Sequence, residues 1–565
     1  MTTVGLFGGG PAVDAIRAAL SDTATDAVAV DADGLARTDV TVAVGAVGDD
    51  GFAAAAASAR ENDTALLAVE LGGIGAHAVE GVDAAVSGYA PGTACHDCLR
   101  GRVAAADPET DDGSYDAATA RFAGALAGRE VATLVAGGQS AVVGGVIELP
   151  HAQRRVLPLP YCDCADSDDR TLRRNHDPRP LEDALTMAEV TFDERVGPVE
   201  SVGEIESFPV PYYLSTLNGT PFSDADVPEH AAGVGLDWDP AFMKALGEAL
   251  ERYSAAVYRE SAFERTPANP IDPTRFVAPG DPVGAGAVQR WHPATNLETD
   301  EAVELPAELV VFPPPERAIR PAITTGLGLG NGGVEALLSG LYEVIERDAA
   351  MLSWYSTFEP LGLAVDDEGF ETLAARAGSE GLTATALLLT QDVDVPVVAS
   401  CVHREGEWPR FAAGMAADFD PESAARDALE EAIQNWLELR RMGPERAAEE
   451  PGAIGHYADF PETAQDFVDP ETTIPAASVG PEAVPDGKAE LDALVERVTE
   501  AGLDAYGARV TPRDVETLGF EAVRVVVPAA QPLFTDDPYF GTRAESVPEA
   551  LGFEPRPDRD HHPFP

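Results

Sequence analysis

The chain of 565 residues is too long for one ordinary hydrophobic core, and its 45% hydrophobic content includes no run of about twenty apolar residues that would span a bilayer. The net charge of −59, from 97 acidic against 38 basic residues, repels nucleic acid, and no basic patch offsets it. The acidity is spread along the whole sequence, as in proteins that stay hydrated in concentrated salt, so it describes the solvent and not the substrate.

The first part of the chain has the pattern of an α/β domain, with alternating strand-like and helical runs. The predicted elements are a strand at 4–7, a helix at 12–20 and further strands at 40–44 and 65–70. A glycine turn joins the first strand to the helix. The turn departs from the dinucleotide-binding pattern because Val13 stands where its third glycine would be.

Four of the five cysteines form two close pairs, Cys95 with Cys98 and Cys162 with Cys164. The chain opens without the basic segment of a secretory signal, so we expect a cytoplasmic protein, in which this spacing favours a metal over disulfides. Four thiolates are the set that a closed structural Zn²⁺ site prefers, with no open position for chemistry. Two unrelated pairs of reduced cysteines remain the alternative.

A polar, acidic and proline-dotted stretch from residue 164 to about 209 predicts a linker or peripheral segment. We therefore expect one domain over residues 1–190 and a second over 200–565. The second region alternates helical and strand-like runs, with a late strand at 523–527. It ends in a tail, residues 553–565, that contains arginine and proline and is not expected to be helical.

Three predicted helices of the second region carry their charged side chains on one face, because residues three, four, seven or eight apart lie on the same side of a helix. The residues that share a face are Glu248 and Glu251 in the first helix, Glu335, Glu343 and Glu346 in the second, and Arg426, Gln434 and either Glu430 or Glu431 in the third.

The surroundings of these glutamates favour a bound cation. A single acidic helix face is most often solvated, but these carboxylates lie among Ala, Leu, Ile and Val with few flanking charges. Clustered carboxylates in apolar surroundings need a counter-charge, usually a hard cation. Magnesium held by several glutamates normally also binds phosphate oxygens, so the pattern indicates Mg²⁺ and ATP.

The segments ALGEALER, NGGVEALLSGLYEVIERDA and RDALEEAIQ resemble the three nucleotide-binding segments of the YcaO family, in order and at similar separations. Residues 324–327 and 523–528 are similar too, and the resemblance covers roughly 200–565. It implies an α+β YcaO-type ATP-binding domain. The preceding α/β domain resembles the zinc-bearing ThiF-like domain that is fused or partnered to peptide cyclodehydratases of that family.

The resemblance also implies roles for individual residues. The positions that match Mg²⁺ ligands are Glu248, Glu251, Glu335 and Glu346, and those that match nucleotide contacts are Asn331, Glu343, Arg347, Arg426, Glu431 and Gln434. The chain departs from the family where a Gly-Lys-Gly turn is common, since residues 233–235 read Gly-Val-Gly. Lys244 replaces a frequent serine, and we expect it to supply the missing charge at the phosphates. An ordinary helix lysine is the alternative.

The end of the sequence resembles the proline-rich ending of azoline-forming members of the family. Pro563 and Pro565 match, whereas His561 stands where a further proline is expected. The resemblance implies a catalytic role for the terminal carboxylate of Pro565 in proton transfer, beside an arginine, Arg347, that stabilises phosphoryl transfer. The alternative is a frayed tail.

The expected activity is the ATP-dependent cyclodehydration of Cys, Ser or Thr residues to azolines in a ribosomally made peptide. Three alternatives stay open: backbone thioamidation with external sulfide, a non-catalytic peptide-binding scaffold, and a ThiF-like adenylating enzyme, which the broken glycine pattern disfavours. Expected partners are the peptide substrate and a separate leader-recognition or sulfur-delivery protein, but no nucleic acid and no membrane. The resemblance suggests a homodimer.

Overall fold

The computed structural model describes residues 2–150, 152–164, 169–281 and 283–565. Its N-terminal part is an α/β domain built on a seven-stranded sheet in the order β2-β1-β3-β4-β5-β6-β7, in which the first four strands are parallel. The elements are β1 (Thr2–Phe7), α1 (Pro11–Leu20), β2 (Thr25–Val30), β3 (Val40–Ala46), α2 (Gly51–Glu61), β4 (Ala65–Leu71), β5 (Ala84–Tyr89), α3 (His96–Ala106), α4 (Ala117–Val135), β6 (Gly145–Leu149) and β7 (Ala152–Arg155).

The central strands of this sheet are buried on both faces, which explains their continuous apolar sequences. Val42 and Val44 of β3 pack in one core with α1 and α4, whereas Ala43 packs in another with α2 and α3. The predicted strands at 4–7, 40–44 and 65–70 and the helix at 12–20 are confirmed.

The rest of the chain is an α+β region with three sheets, in the orders β10-β9-β8, β12-β11-β19-β20-β13 and β17-β16-β15-β14-β18. The elements are α5 (Leu181–Ala188), β8 (Val199–Glu206), β9 (Tyr212–Leu217), β10 (His230–Val234), α6 (Trp238–Ala256), β11 (Trp291–Asn296), β12 (Ala302–Pro306), β13 (Leu327–Gly330), α7 (Gly333–Trp354), β14 (Leu361–Ala364), α8 (Glu368–Ser379), β15 (Thr383–Leu388), β16 (Val397–His403), β17 (Phe411–Ala417), α9 (Pro421–Met442), α10 (Pro444–Ala447), α11 (Ile454–Tyr457), α12 (Glu462–Phe467), β18 (Thr473–Pro475), α13 (Lys488–Glu500), β19 (Tyr506–Arg509), α14 (Arg513–Thr517), β20 (Glu521–Val526) and α15 (Arg543–Leu551). In the described part of the chain, no helix has the length and apolar character that a membrane crossing requires.

The three acid-bearing helices are α6, α7 and α9, as the sequence predicts, and each lies on a strand at very short distance. A Cβ atom on Gly233 of β10 would stand 2.2 Å from the Ala245 nitrogen of α6, and one on Gly414 of β17 would stand 2.4 Å from the Ala432 nitrogen of α9. Glycine is therefore required at both positions. The close approach accompanies burial of the apolar face of each helix.

The stretch that the sequence predicts to be a linker is partly packed against the second region. Asn175 accepts the Gly333 N–H at its side-chain oxygen and the Val334 N–H at its main-chain oxygen, both at 3.1 Å, and so caps α7. Arg173 pairs with Glu516 and Glu521. Of the two predicted possibilities, this part is a peripheral segment and not a linker, because Asn175 supplies hydrogen bonds that the start of a helix needs. The domain limits at 190 and 200 stay a prediction.

The C-terminal tail contains no helix, as predicted, but the alternative of a frayed tail is wrong. The Arg559 guanidinium stacks 4.0 Å above the Trp354 ring, and the Trp354 Nε1–H donates to the Asp560 carbonyl at 2.9 Å. The Tyr457 hydroxyl donates to the His561 carbonyl at 2.7 Å, and the Phe564 ring is buried. These contacts fix the tail along the C-terminal end of α7.

Candidate active site

A cavity of about 460 Å³ lies where α6, α7 and α9 converge. Polar side chains from all three helices and from the turn before α7 line it: Lys244, Glu248, Glu251, Asn331, Glu335, Glu430, Glu431 and Gln434. The sequence predicts each of these residues except Glu430, which it leaves as the alternative to Glu431.

The two carboxylates of α6 share one arginine, Arg252. Arg252 contacts Glu248 at 3.2 Å and Glu251 at 3.0 Å. Burial raises the pKa of Glu251 to about 7; Arg252 opposes the rise, and the negative charges of Glu343 and Glu248 add to it. Sequence reasoning missed Arg252, although its spacing of four residues from Glu248 is the usual signal for an ion pair within a helix.

The second half of α7 carries a similar group around Arg347. Its Nε lies 3.3 Å from a Glu346 oxygen, its Nη2 lies 3.8 Å from a Glu431 oxygen of α9, and its Nη1 donates to the Pro565 main-chain oxygen at 3.1 Å. Burial raises the pKa of Glu346 to about 8, against the effect of Arg347 and with that of Glu431 and Glu343.

Glu343 lies between the group around Arg252 and the group around Arg347 and acts on both. Its Oε2 accepts the Gly326 N–H at 2.9 Å, and its negative charge raises the pKa of both Glu251 and Glu346. Burial also raises the pKa of Glu431. The carboxylates therefore outnumber the arginines around them, Arg252, Arg347 and Arg524, by five to three; the five are Glu248, Glu251, Glu343, Glu346 and Glu431. Buried excess negative charge is costly without a cation, and oxygen ligands of this kind fit Mg²⁺.

A buried acceptor without a partner lies in the wall of the cavity. Glu335 accepts the main-chain N–H and the side-chain amide of Asn331 at 2.8 and 3.0 Å, whereas the Asn331 Oδ1 atom has no hydrogen-bond partner within the described residues. A buried polar atom of this kind normally has a partner, so the wall is complete only with a bound donor or cation.

Lys244 and Arg426 lie in different surroundings. The Lys244 ammonium lines the cavity and pairs with Glu430, which also accepts the Leu236 N–H at 3.0 Å. Arg426 lies one turn closer to the start of α9, where it donates to Asp367 at 3.3 Å; its neighbour Asp427 lines the cavity instead. The structure thus brings Lys244 to the cavity, as predicted, whereas Arg426 lies outside the cavity lining and pairs with Asp367.

The four paired cysteines meet at a second cluster. Their Sγ atoms all lie within 4.8 Å of one another, with separations of 3.5 Å for Cys95 and Cys162 and for Cys98 and Cys164. Tetrahedral Zn²⁺ with bonds of about 2.3 Å places its sulfur ligands about 3.8 Å apart, so this geometry fits the ion. The alternative of two unrelated pairs is wrong. His96 is not part of the cluster and lies 3.5 Å from Glu70.

Comparison with known sequences identifies relatives of the second region. The family model described as YcaO cyclodehydratase, ATP- and Mg²⁺-binding, matches residues 232–531. An uncharacterised protein of Methanothermobacter thermautotrophicus is 30% identical over 349 residues, which are 56% of this chain and 85% of that protein. An uncharacterised protein in the tfuA 3′ region of Rhizobium leguminosarum bv. trifolii is 26% identical over 231 residues, 36% of this chain and 54% of that protein.

Solved structures show a similar fold for nearly the whole chain. A heterocyclase in complex with substrate and cofactor superposes with a TM-score of 0.75 at 20% identity, covering 100% of this chain and 85% of its own. The heterocyclase TruD gives a TM-score of 0.67 at 19% identity, covering 98% and 82%. The likeness includes the N-terminal sheet as well as the sheets around the cavity. The matched residues 232–531 are more than half of the chain and include the three acid-bearing helices, so the chain belongs to the YcaO family.

Proposed function

We propose that this protein uses ATP and Mg²⁺ to activate a backbone amide of a peptide, and that the product is an azoline formed from a Cys, Ser or Thr residue. The observation that carries the proposal is the convergence of carboxylates from α6, α7 and α9 on one cavity, with Arg347 paired to Glu431 of its wall. Membership of the YcaO family supports it.

The residues that line the cavity, together with Glu343 and Glu346 beside it, divide into two groups in this proposal. Glu248, Glu251, Glu335 and Glu346 supply oxygen ligands for magnesium, which when bound neutralises phosphate oxygens and orients them. Asn331, Glu343, Glu431 and Gln434 contact the nucleotide or hold those contacts in place, and Lys244 adds positive charge at the phosphates. Arg426 takes part only if it exchanges Asp367 for the nucleotide.

The proposed reaction balances as a dehydration that ATP drives. The substrate thiol or hydroxyl attacks the preceding carbonyl carbon, and the resulting oxyanion takes the γ-phosphoryl group, releasing ADP. The carbon–oxygen bond then breaks, phosphate leaves with the former carbonyl oxygen, and loss of the amide proton gives the C=N bond of the azoline. Arg347 stabilises negative charge during phosphoryl transfer.

A proton acceptor is needed when the ring closes, and we assign this role to Pro565. Its main-chain oxygen lies 3.1 Å from Arg347 and is held by the packed tail. One residue added after Pro565 would convert a terminal carboxylate at this position into a peptide amide, which cannot accept the proton. We therefore expect a variant with a single glycine after Pro565 to bind ATP but to form azoline at a strongly reduced rate.

The function is tested with synthetic peptides that contain Gly-Cys, Gly-Ser or Gly-Thr, incubated with protein, ATP and magnesium. Cyclodehydration lowers the peptide mass by one water and releases one ADP per ring. Glu251→Gln should abolish both changes, whereas Glu496→Gln, at an exposed position on α13, should leave them intact. The assay is run with and without a separately added recognition protein. We also propose that the protein is a homodimer, and the assay is repeated over a range of protein concentrations.

The alternatives give different products. Thioamidation uses the same activation with sulfide as nucleophile, so with added sulfide the peptide mass increases by the difference between sulfur and oxygen. A non-catalytic scaffold binds peptide without forming ADP. Either result would replace the azoline proposal.

A further inference from the structure

A buried polar network joins the cysteine cluster to the helix that carries Glu248 and Glu251. Arg102 lies on α3, one turn after Cys98, and its Nη1 donates to the Tyr253 hydroxyl at 3.1 Å. Its Nη2 pairs with Asp514 of α14, which also accepts the Tyr253 hydroxyl proton at 2.6 Å. The side chains of Arg102 and Asp514 are 1% and 0% exposed.

The charged groups and the hydroxyl of this network depend on one another, although the Arg102 Nε atom has no hydrogen-bond partner within the described residues. Asp514 accepts the Val515 N–H at 3.0 Å with its other oxygen, and Arg102 also donates to the Pro158 carbonyl at 3.1 Å, in the segment that leads to Cys162. A buried ion pair that loses one partner leaves an uncompensated charge, so the network holds one arrangement and resists intermediate ones.

A second connection starts at the other pair of cysteines. Arg513, next to Asp514 on α14, donates its Nη1–H to the Cys164 sulfur at 3.2 Å. Hydrogen bonds to a ligating sulfur help to orient it. Both halves of the cysteine cluster therefore reach α14, one through Arg102 and the other through Arg513.

The network ends two residues from a proposed magnesium ligand. On α6, Tyr253 directly follows Arg252, the arginine that pairs with Glu251. The Tyr253 ring packs in the same core as Cys98, Leu250 and Val515. Through Tyr253, α3 and α14 thus contact the end of the same helix that presents Glu248 and Glu251 to the cavity.

We infer that Arg102, Asp514 and Tyr253 are positioning residues that couple the cysteine cluster to the nucleotide cavity, so that a metal at the cysteines and Mg²⁺ with nucleotide in the cavity strengthen each other's binding. Coupling of this kind is reciprocal, and typical values correspond to roughly 5- to 150-fold in affinity. The inference rests on the proposed function, because it needs a nucleotide in the cavity.

The test measures metal release and not activity. Zinc transfer from the full-length, zinc-loaded protein to a colorimetric chelator is timed with and without Mg²⁺ and a non-hydrolysable ATP analogue, whose binding is measured separately by calorimetry. We expect the analogue to slow zinc release by roughly 5-fold or more in the wild type. In Tyr253→Phe the slowing should fall below about 2-fold, with full zinc content and measurable analogue binding.

Two further variants make the result specific. Tyr258→Phe removes another buried hydroxyl, which donates to the Pro313 carbonyl at 2.8 Å outside the network, and it should keep the wild-type slowing. Arg513→Gln, at a partly exposed position, should reduce the slowing without disturbing the core, and it replaces Tyr253→Phe if that variant does not fold.

The outcomes separate the two proposals. A wild type that does not bind the analogue overturns the proposed function and the coupling with it. Analogue binding without slower zinc release overturns the coupling alone. Equal slowing in the wild type, Tyr253→Phe and Arg513→Gln also overturns it, because the network would then carry no energy between the sites.

Discussion

The molecule gathers metal-ligating side chains in two places, and the two clusters differ in what surrounds them. The cysteine cluster is closed in its coordination: four sulfur atoms lie within 4.8 Å of one another, Arg513 donates to one of them, and a small cavity of about 180 Å³ reaches only Cys95 and Cys164 of the four. The glutamate cluster is open: its carboxylates line or adjoin a cavity of about 460 Å³. A closed tetrahedral set leaves no position for a substrate, whereas an open set does.

The difference also concerns stability. Sulfur ligands that meet around a metal contribute to the free energy of folding. The buried glutamates do the opposite when no cation is present, since burial raises the pKa of Glu251 to about 7 and that of Glu346 to about 8. One cluster is thus expected to stabilise the fold and the other to reduce stability in favour of function.

The largest effect is expected at the open cluster and on activity. Glu251→Gln removes a charge that the proposed magnesium site needs, so kcat/KM for ATP should fall by at least roughly 10⁴-fold, or about 5.4 kcal/mol in transition-state stabilisation. Circular dichroism should show an unchanged fold. Glu496→Gln is the matched control, and a Glu251→Gln protein with wild-type turnover would remove Glu251 from the site.

The next largest effect is expected at the closed cluster and on stability. Cys98→Ser leaves three sulfur ligands and a buried hydroxyl, so the protein should lose zinc and become less stable by roughly 3–5 kcal/mol, seen as a lower thermal midpoint. Cys401→Ser, a buried cysteine outside the cluster, is the control for the change of sulfur to oxygen. If Cys98→Ser keeps its zinc and loses no more stability than Cys401→Ser, the cysteine cluster is not the site that holds the zinc.

The sequence was sufficient for the metal-ligating residues of both clusters but not for Arg252 or for the arrangement of the clusters. Helical spacing predicted that Glu248 and Glu251 share a face, and the two cysteine pairs predicted a common site. Spacing within a helix does not say which element faces it, so it could not show that Arg426 pairs with Asp367 or that Asn175 caps α7. These contacts join residues more than fifty positions apart and arise only from tertiary packing.

A third effect has the opposite sign and concerns stability in the absence of magnesium. Burial raises the folded-state pKa of Glu346 to about 8, above its ordinary value of about 4.5, so the contribution of this group to the stability of the metal-free protein is most favourable below pH 4.5 and is lost as the pH rises from there through 8. Glu346→Gln stays neutral and should be more stable than the wild type, by roughly 1 kcal/mol at pH 5.5 and 2–4 kcal/mol at pH 8.5.

Thermal unfolding in excess EDTA at the two pH values measures this gain. Glu496→Gln should show no gain at either pH, because that carboxylate is exposed. A gain that is equal at pH 5.5 and pH 8.5, or a loss of stability in Glu346→Gln, would show that burial of this carboxylate is not the cause.

The smallest effect is expected at Lys244, where the open cluster meets its only lysine. The chain has lysine only at Lys244 and Lys488, and Lys488 is exposed at the start of α13, which makes Lys488→Ala a matched control. Lys244 is about half exposed and already pairs with Glu430, so its loss should reduce the positive charge at the phosphates without removing all of it.

We expect Lys244→Ala to raise KM for ATP by roughly 3- to 10-fold, or about 1 kcal/mol, with kcat little changed. Lys244→Arg should restore most of the affinity. An unchanged KM in steady-state assays would make Lys244 an ordinary partner of Glu430, and the open cluster would then bind phosphates through its metal and arginines alone.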